Sequence, residues 1–509
     1  MTNRSTSLKI TLTAMYSIIY LALFTPGAEH PLIIFLIGCI TSMCLWFGPI
    51  AVIGSNNNVR KFYDPATLFN LGVFYYTIKG TTLAWGIRPS YIRFISIDYA
   101  VEVFPLIALY MFLGIISWNL AYQFILRDVG MDVQATPQRN VSPPALYIFK
   151  LWPSILFLAL LGIVAVIILF VSVGADPLFF IRSSWKRGYL STNISGVGSG
   201  LASMAYYLMH MLQAAAILWL VNDGWVKRTL QLSWVVFSGF VLVILFLVAA
   251  RAVILGYLIS LLFVYHFLFR PLNPRLLMGV GLVGGIYSYA INIWRGISNQ
   301  LINEPLSTAL SALAEEVNFR GFMEFISSGA LVDIHVFPLI VRVYGDILPH
   351  KYGETLLRMF YQFIPRSLWA NKPLDLGIEL DRLARPNSIT GFPPGFFPEM
   401  YMNFNIFGIV LGGAVLGIVL AYAYRFWILS TRRSPLTITL YAILISRIFL
   451  ISSNTFGTAF MLVAIPMGGA IIAVKVFGRI ELQAPSSTML YGLIKKNSFS
   501  PRKIYNPQS

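Results

Sequence analysis

The strongest constraint on this chain is a succession of apolar stretches, each long enough to cross a membrane. A helix of about 20 apolar residues spans the hydrocarbon core of a bilayer, because its backbone N–H and C=O groups bond within the helix. Of the 509 residues, 57% are hydrophobic and 11% are charged, which excludes an ordinary soluble protein. We therefore predict an all-α polytopic membrane protein with about 12 transmembrane helices. The predicted spans are 8–25, 32–53, 66–85, 99–125, 151–173, 199–221, 232–249, 252–269, 276–292, 404–428, 436–453 and 458–475.

The distribution of Lys and Arg predicts how these spans are oriented. Cytoplasmic loops carry an excess of basic residues close to the helix ends. If the N terminus is cytoplasmic, most Lys and Arg fall on the cytoplasmic side, for example Arg60-Lys61, Lys227-Arg228 and Arg432-Arg433. We therefore expect a multi-pass protein with both termini in the cytoplasm.

This orientation divides the chain into four parts. Residues 1–292 form transmembrane helices 1–9 and include a smaller outer loop at about 174–198. Residues 293–403 form a large extracytoplasmic loop, which is expected to be partly helical, with helices at 306–329 and 353–363 and a short interfacial or re-entrant piece at 334–345. Residues 404–475 form helices 10–12, and residues 476–509 form a cytoplasmic tail.

Ionisable residues inside the predicted spans indicate either a function or a structural ion pair. Placing Arg or Lys at the centre of a membrane helix costs about 2.5–3.5 kcal/mol on insertion scales. Arg447 and Lys79 lie within apolar stretches, Glu102 begins the fourth span, and Arg251 lies at a hairpin tip. In the predicted topology all four converge on the outer half of the membrane. The alternatives are an Arg447–Glu102 ion pair, a Lys79 side chain that snorkels to the interface, and an Arg251 that only ends two helices.

The stretch 353–413 is the main polar exception in the chain. Its characteristic residues are Pro365-Arg366-Ser367-Leu368-Trp369, Lys372-Pro373, Gly391-Phe392-Pro393-Pro394, Glu399-Met400-Tyr401, Asn403-Phe404 and Gly408. A guanidinium matches phosphate oxygens with two parallel hydrogen bonds, and Trp and Tyr suit sugar faces and the lipid interface. These residues beside outer-leaflet cations predict a sugar linked to a polyprenyl pyrophosphate as the substrate.

Other classes of partner are not predicted. The net charge of +17 is spread over short loops rather than a basic domain, so no nucleic acid is expected. The sequence contains neither a Walker-type glycine-rich motif nor a metal-ligand cluster, so we expect no cofactor and no metal.

The Pro365–Pro373 run, the Gly391–Gly408 run and the Arg251 hairpin resemble the bacterial oligosaccharide repeat-unit polymerases, the Wzy type of O-antigen polymerase. The many helices and the two outer loops rich in Arg are also similar, and the resemblance extends from about the fifth helix onward. It implies a metal-independent membrane glycosyltransferase of GT-C-like fold in the bacterial inner (cytoplasmic) membrane, acting in polysaccharide biosynthesis. The growing chain would pass from undecaprenyl pyrophosphate to the next lipid-linked repeat on the outer face, often with a chain-length regulator as partner protein.

The resemblance also leads to hypotheses about individual residues. The basic residues expected to hold the donor pyrophosphate are Arg251, Arg320, Arg366 and Arg447. Those of the smaller outer loop, expected to hold the acceptor, are Arg182 and Arg187. The candidates for the general base are Glu399 and Glu324, with His335 and His350 as alternatives. The aromatic residues expected to line the sugar path are Tyr401, Trp369 and Trp185. Glu399 has a second interpretation, as a structural carboxylate that satisfies nearby basic groups.

Two other functions compete with this one. An O-antigen ligase has a similar layout and a prominent outer-loop histidine, for which His335 and His350 are candidates, whereas the Gly391–Tyr401 run favours the polymerase. A polysaccharide transporter or lipid flippase would commonly show inverted repeats and broken helices at matching positions, which the sequence does not indicate.

Overall fold

The computed structural model of this chain describes residues 2–48, 63–85, 96–127, 147–172, 197–226, 229–247, 251–270, 311, 334–361, 364, 368–369, 371–374, 376–384, 393–429, 434–452 and 454–482. The described helices of the first half of the chain are α1 (Thr2–Phe24), α2 (Pro31–Phe47), α3 (Pro65–Ile78), α4 (Ile97–Arg127), α5 (Trp152–Ser172), α6 (Val197–Leu208), α7 (Met211–Val226), α8 (Leu232–Leu247) and α9 (Arg251–Leu268). Those of the second half are α10 (Val336–Val343), α11 (Glu354–Tyr361), α12 (Leu376–Ala384), α13 (Phe396–Tyr424), α14 (Pro435–Ile451) and α15 (Phe456–Phe477). A 3₁₀ stretch, Lys79–Trp85, continues α3, and a π-helical turn, Arg425–Leu429, continues α13.

Within the described ranges, the regular secondary structure is helical apart from one short ladder and an isolated β-bridge between Tyr344 and Leu348. Strands β1 (Tyr147–Lys150) and β2 (Arg479–Leu482) pair antiparallel, with Tyr147 opposite Leu482. The ladder joins the start of α5 to the end of α15, where Ser154 Oγ also donates a hydrogen bond to the carbonyl of Ala473 at 2.9 Å.

The prediction of an α-helical membrane protein is confirmed. Among the described residues, six helical segments are long and apolar enough to cross a membrane, one of them running across the junction of α6 and α7, and four shorter helices are also apolar. Eleven of the twelve predicted spans fall wholly or mostly on described helices, whereas the span 276–292 and the end of the second span, 49–53, lie outside the described residues.

The structure differs from the prediction at two spans. The span 199–221 is divided into α6 and α7 by a turn at Met209–His210. The span 404–428 is part of a helix that begins earlier, at Phe396, and is broken at Phe404 and Asn405. Every residue from Phe396 to Asn403 is buried, so packing stabilises as helix a segment whose prolines and carboxylate indicated a loop.

The described part of the predicted outer loop is partly helical, as expected. The helix predicted at 353–363 corresponds to α11, and the short apolar piece corresponds to α10. Helix α10 is buried rather than interfacial, since the Phe337 ring packs against the rings of Tyr110 and Tyr401. Helix α12 was not predicted.

Side-chain contacts fix the relative directions of the helices. Helices α4 and α13 run parallel, because Tyr401 contacts Tyr110 and, farther along both helices, Ser117 Oγ donates to the carbonyl of Val410 at 2.8 Å. Helices α9 and α14 run antiparallel, because two contacts pair earlier residues of α9 with later residues of α14. Ser260 Oγ donates to the carbonyl of Ala442, and Gly256, one turn earlier in α9, lies against Ser446, one turn later in α14.

The bundle therefore has two distinguishable ends. At one, the Arg447 end, α3 and α14 finish while α4, α9, α13 and α15 begin; there the Tyr76 hydroxyl donates to the carbonyl of Pro394 at 3.0 Å. At the other, the Asp64 end, the Tyr122 hydroxyl donates to Asp64 at 2.6 Å.

A reciprocal pair of amides joins α3 to α4 in the middle of the bundle. Asn70 Nδ2 donates to Asn119 Oδ1 at 3.0 Å, and Asn119 Nδ2 donates to Asn70 Oδ1 at 3.2 Å. Each Nδ2 group also donates to a carbonyl of its own helix, and both residues are buried. The pair therefore satisfies its polar atoms in an apolar environment.

We predict that Asn70→Ala lowers the free energy of unfolding by about 1–3 kcal/mol, because Asn119 then loses a partner in a buried site. The double variant Asn70→Ala/Asn119→Ala should be less destabilised than the sum of the two single variants. Denaturant unfolding in detergent measures all three, and strictly additive effects would contradict a coupled pair.

Candidate functional site

Among the predicted site arginines, Arg447 is the one whose side chain the structure describes. It lies on α14 with 1% of its surface exposed, and its Nη2 group donates to Gln213 Oε1 on α7 at 2.9 Å. The alternative partner Glu102 is exposed on α4. The guanidinium is therefore held inside the bundle by an interhelical hydrogen bond to a neutral amide.

Two glycines bring neighbouring helices close to α14 on either side of Arg447. A Cβ atom on Gly256 of α9 would lie 2.0 Å from the carbonyl oxygen of Ser446. A Cβ atom on Gly72 of α3 would lie 2.4 Å from the carbonyl oxygen of Phe449. Small residues thus allow three backbones to approach around the buried charge.

Lys79 is a second buried cation at the same end of the bundle. It follows α3 and is 2% exposed, and its Nζ atom lies 5.0 Å from the centroid of the Tyr75 ring. Tyr75 in turn contacts Phe449, two residues beyond Arg447 on α14, with ring centroids 6.0 Å apart. Lys79 therefore makes a cation–π contact within the bundle rather than snorkelling to the interface.

Glu399 connects the first part of α13 to the start of α15. Its side chain is 1% exposed, and Oε2 accepts a hydrogen bond from the backbone N–H of Phe456 at 2.6 Å. A carboxylate is favoured there because the first backbone N–H groups of a helix lack partners within the helix and carry partial positive charge. This contact is with a backbone N–H rather than with a basic side chain, and both the structural and the catalytic roles of Glu399 stay hypotheses.

The break in α13 depends on unusual backbone geometry. Asn405 has a φ of 55°, in the left-handed region, and Phe404 is also outside helical geometry. One turn later, a Cβ atom on Gly408 would lie 2.1 Å from the carbonyl oxygen of Met400. The glycine therefore lets the two parts of α13 approach each other across the break.

A side-chain amide joins this break to residues 351–355, at the start of α11. Asn403 Oδ1 accepts from the backbone N–H of Gly353 at 2.9 Å, and its Nδ2 group donates to Thr355 Oγ1 at 2.6 Å. The N–H of Lys351 donates to the carbonyl of Met402 at 2.8 Å. These bonds form the Asn403 clasp, which fixes the start of α11 to the first part of α13.

Two of the predicted sugar-contacting and alternative base residues, Tyr401 and His350, lie near the clasp. Tyr401 is 6% exposed and packs among the rings of Tyr110, Phe337 and His350. His350 Nδ1 lies 3.3 Å from the carbonyl oxygen of Met402. His335 is buried, with Nε2 2.9 Å from Thr82 Oγ1.

An ion cluster holds α10, α11 and α12 together outside the apolar bundle. Lys351 Nζ lies 2.8 Å from Glu379 Oε1 and 3.6 Å from Glu354 Oε2. Burial alone would lower the pKa of Lys351, but hydrogen bonding and attraction to Glu379 and Glu354 outweigh it and raise that pKa above 10.5. The Tyr344 hydroxyl donates to Glu379, and burial together with that carboxylate raises the pKa of Tyr344.

Other predicted residues are placed only in part. Trp369 is partly exposed and contacts the ring of Tyr361 edge-on, with the two ring centroids 5.2 Å apart. The backbone of Arg251 begins α9 at the Arg447 end, and nothing is described for its side chain. The remaining predicted site residues lie outside the described residues: Arg182, Trp185, Arg187, Arg320, Glu324 and Arg366.

The structure thus brings Arg447, Glu399 and Tyr401 to one end of the bundle. The sequence reasoning missed Gln213 and Tyr75, which contact the two buried cations. A lone amide in an apolar span was the available signal for Gln213. In the part of the chain that the structure describes, no group of three or more His, Cys, Asp and Glu is placed to hold a metal ion.

Comparisons of the chain with protein-family models, with curated proteins and with solved structures found no match.

We predict that Lys351→Met lowers the free energy of unfolding by about 0.5–1 kcal/mol near neutral pH, because the ion cluster is partly exposed to water. A raised pKa in the folded state means that the ammonium stabilises the fold below the ordinary value of 10.5. That contribution is lost as pH rises through the raised pKa, so the difference between variant and wild type should vanish there. Thermal unfolding across alkaline pH measures it.

The matched control for this experiment is Arg382→Met on α12, where the structure describes no contact with the ion cluster. Its difference from the wild type should not follow the titration of Lys351. A stability difference for Lys351→Met that persists unchanged above the raised pKa would contradict the electrostatic origin.

Proposed function

We propose that this protein is a membrane glycosyltransferase that polymerises undecaprenyl-pyrophosphate-linked oligosaccharide repeats into surface polysaccharide, such as O-antigen. The observation that supports it most is the pair of buried cations, Arg447 and Lys79, at the end of the bundle that also carries the stretch 353–413. Positive charges fixed in a low-dielectric site stabilise a negatively charged leaving group far more than they would in water.

The proposal includes the organisation that the sequence predicts. The chain crosses the bacterial inner membrane about 12 times in a GT-C-like arrangement, with both termini cytoplasmic. The Arg447 end is then the outer face, where lipid-linked repeats are presented. A chain-length regulator remains an expected partner protein.

In the proposed reaction, a hydroxyl of the acceptor repeat attacks the anomeric carbon of the lipid-linked growing chain. The bond from that carbon to the pyrophosphate oxygen breaks, and its electron pair leaves with undecaprenyl pyrophosphate. Arg447, together with Arg251, Arg320 and Arg366, would stabilise the charge on the departing pyrophosphate. Because the sugar is already activated by its bond to pyrophosphate, the transfer needs no nucleotide as an energy source.

The proton of the attacking hydroxyl passes to a general base. Glu399 and Glu324 are the carboxylate candidates, and His335 and His350 are the alternatives. Since Oε2 of Glu399 already accepts from Phe456, Glu399 would act through its other oxygen while remaining anchored to α15. Tyr401, in the same part of α13 as Glu399, would line the path of the sugar with its ring.

A second candidate function, flipping of the same lipid-linked sugar, is favoured by one observation. Two apolar helices are interrupted, at the Met209–His210 turn and at the Phe404–Asn405 break. Interrupted helices with polar groups at the breaks are a feature of transporter binding sites.

Purified protein in proteoliposomes, supplied with radiolabelled lipid-linked repeat, distinguishes these functions. We predict a ladder of lengthened lipid-linked glycans from the protein and substrate alone. A repeat that crosses the membrane without being lengthened would instead indicate a flippase. Glycan transfer that occurs only when a lipid A core acceptor is added would indicate a ligase.

We predict that Arg447→Ala lowers the polymerisation rate about 10²–10³-fold, because the leaving group loses a preorganised cation. Arg447→Lys should retain part of the activity, since it keeps the charge but loses the guanidinium geometry. The initial rate of ladder formation measures both. Arg425→Gln, on the π-helical turn toward the Asp64 end, is the matched control and should stay near the wild-type rate.

Gel filtration and thermal unfolding of each variant establish that it is folded. A folded Arg447→Ala protein with the wild-type rate would contradict the role of Arg447 in leaving-group stabilisation.

A further inference from the structure

Large apolar side chains are exposed on α11 and on residues beside it, between 352 and 369, rather than on a membrane-spanning helix. Leu357 is 59% exposed, Phe360 is 68% exposed and Leu368 is 79% exposed. The other exposed large residues of this surface are Tyr352, Ile364 and Trp369. The surfaces of water-soluble proteins rarely expose so many large apolar side chains close together. This set therefore indicates contact with a lipid or protein surface.

Helix α11 separates its side chains onto distinct faces. Thr355 is buried toward the bundle, and a Cβ atom on Gly457 of α15 would lie 3.8 Å from the Thr355 carbonyl oxygen. Leu357 and Phe360, three residues apart, share the exposed apolar face. At 100° per residue, Glu354 lies about 120° around the helix from Phe360 and about 60° from Leu357, at the edge of the apolar face beside the ion cluster. Such a helix is amphipathic in the manner of interfacial helices.

The exposed apolar face continues the lipid-facing surface of the bundle. Along α13 the exposed apolar residues recur at helical spacing: Phe407, Leu411, Val415, Val419, Tyr422 and Phe426. Their row ends at Phe404, whose ring lies 3.2 Å from the position of a Cβ atom on Gly353, immediately before α11. The Asn403 clasp fixes this junction. Helix α11 therefore begins where the membrane-facing row of α13 ends.

Aromatic and basic groups beside this surface match the polar boundary of a bilayer. Trp369 and Tyr361 contact each other, and Trp and Tyr concentrate at membrane interfaces. Lys372 Nζ donates to the carbonyl of Ile364 at 2.9 Å and is exposed there. The apolar face and this polar boundary occur in the same short segment.

We propose that α11, together with Leu368 and Trp369, is a membrane-surface anchor that lies in the lipid interface at the Arg447 end of the bundle. The occupant of the apolar face is the bilayer itself. Through the Asn403 clasp, the anchor holds the first part of α13, with Glu399 and Tyr401, at a fixed depth relative to lipid headgroups. This inference goes beyond the proposed function and does not depend on the reaction.

Depth measurement by spin labelling tests the anchor in the full-length protein. The background variant carries Cys39→Ala and Cys44→Ala, which removes both native thiols. A nitroxide is attached at Phe360→Cys, and its collision rates with oxygen, which concentrates in lipid, and with a water-soluble nickel chelate are compared in nanodiscs. Phe407→Cys is the lipid-facing control and Glu354→Cys is the matched water-facing control on the same helix.

The expected oxygen-to-nickel ratio at Phe360 is several-fold above that at Glu354 and approaches that at Phe407. A ratio at Phe360 equal to that at Glu354 would overturn the proposal, because the face would then be in water. Low accessibility to both reagents would also overturn it, in favour of a protein partner or a second copy of the chain. Leu357→Cys, on the same face, repeats the measurement if the Phe360→Cys protein is not monodisperse.

Discussion

The burial of Arg447 is the constraint on which the rest of the site depends. A guanidinium inside an apolar bundle is tolerated only where polar partners are built around it, and Gln213 supplies one such partner from α7. Gly256 and Gly72 let α9 and α3 approach the α14 backbone on either side of this charge. The same approach brings Tyr75, and with it Lys79, close to α14. Helices α3, α7, α9 and α14 therefore meet around Arg447, and the second cation, Lys79, lies close to them.

The polar stretch around Glu399 is attached to this core by bonds to helix ends. Glu399 accepts from the start of α15, while Gly395 lies against the carbonyl of Ser452 at the end of α14, where a Cβ atom would meet that oxygen at 2.5 Å. Asn403 then fixes the start of α11 to α13 through hydrogen bonds with Gly353 and Thr355. The first part of α13 therefore connects the end of α14 and the start of α15 to the ion cluster of Lys351.

Much of the fold was predictable because hydropathy reports directly on membrane helices. Apolar stretches located the long described helices but not α12, and the positions of Arg447 and Lys79 drew attention to two charges within apolar spans. The breaks at Met209–His210 and Phe404–Asn405 were not predicted, since a hydropathy window averages over a turn of two residues. The contacts of Gln213 with Arg447 and of Glu399 with Phe456 were also missed, because residues far apart in sequence form them. The roles of the predicted arginines in the outer loops stay predictions.

The most direct test of this account is an electron cryo-microscopy structure of the protein in nanodiscs with undecaprenyl pyrophosphate bound. The account predicts diphosphate density at the Arg447 end, within hydrogen-bonding distance of Arg447 or Lys79, with the lipid chain leaving toward the bilayer. Diphosphate density at the Asp64 end, or at a surface remote from both cations, would contradict it.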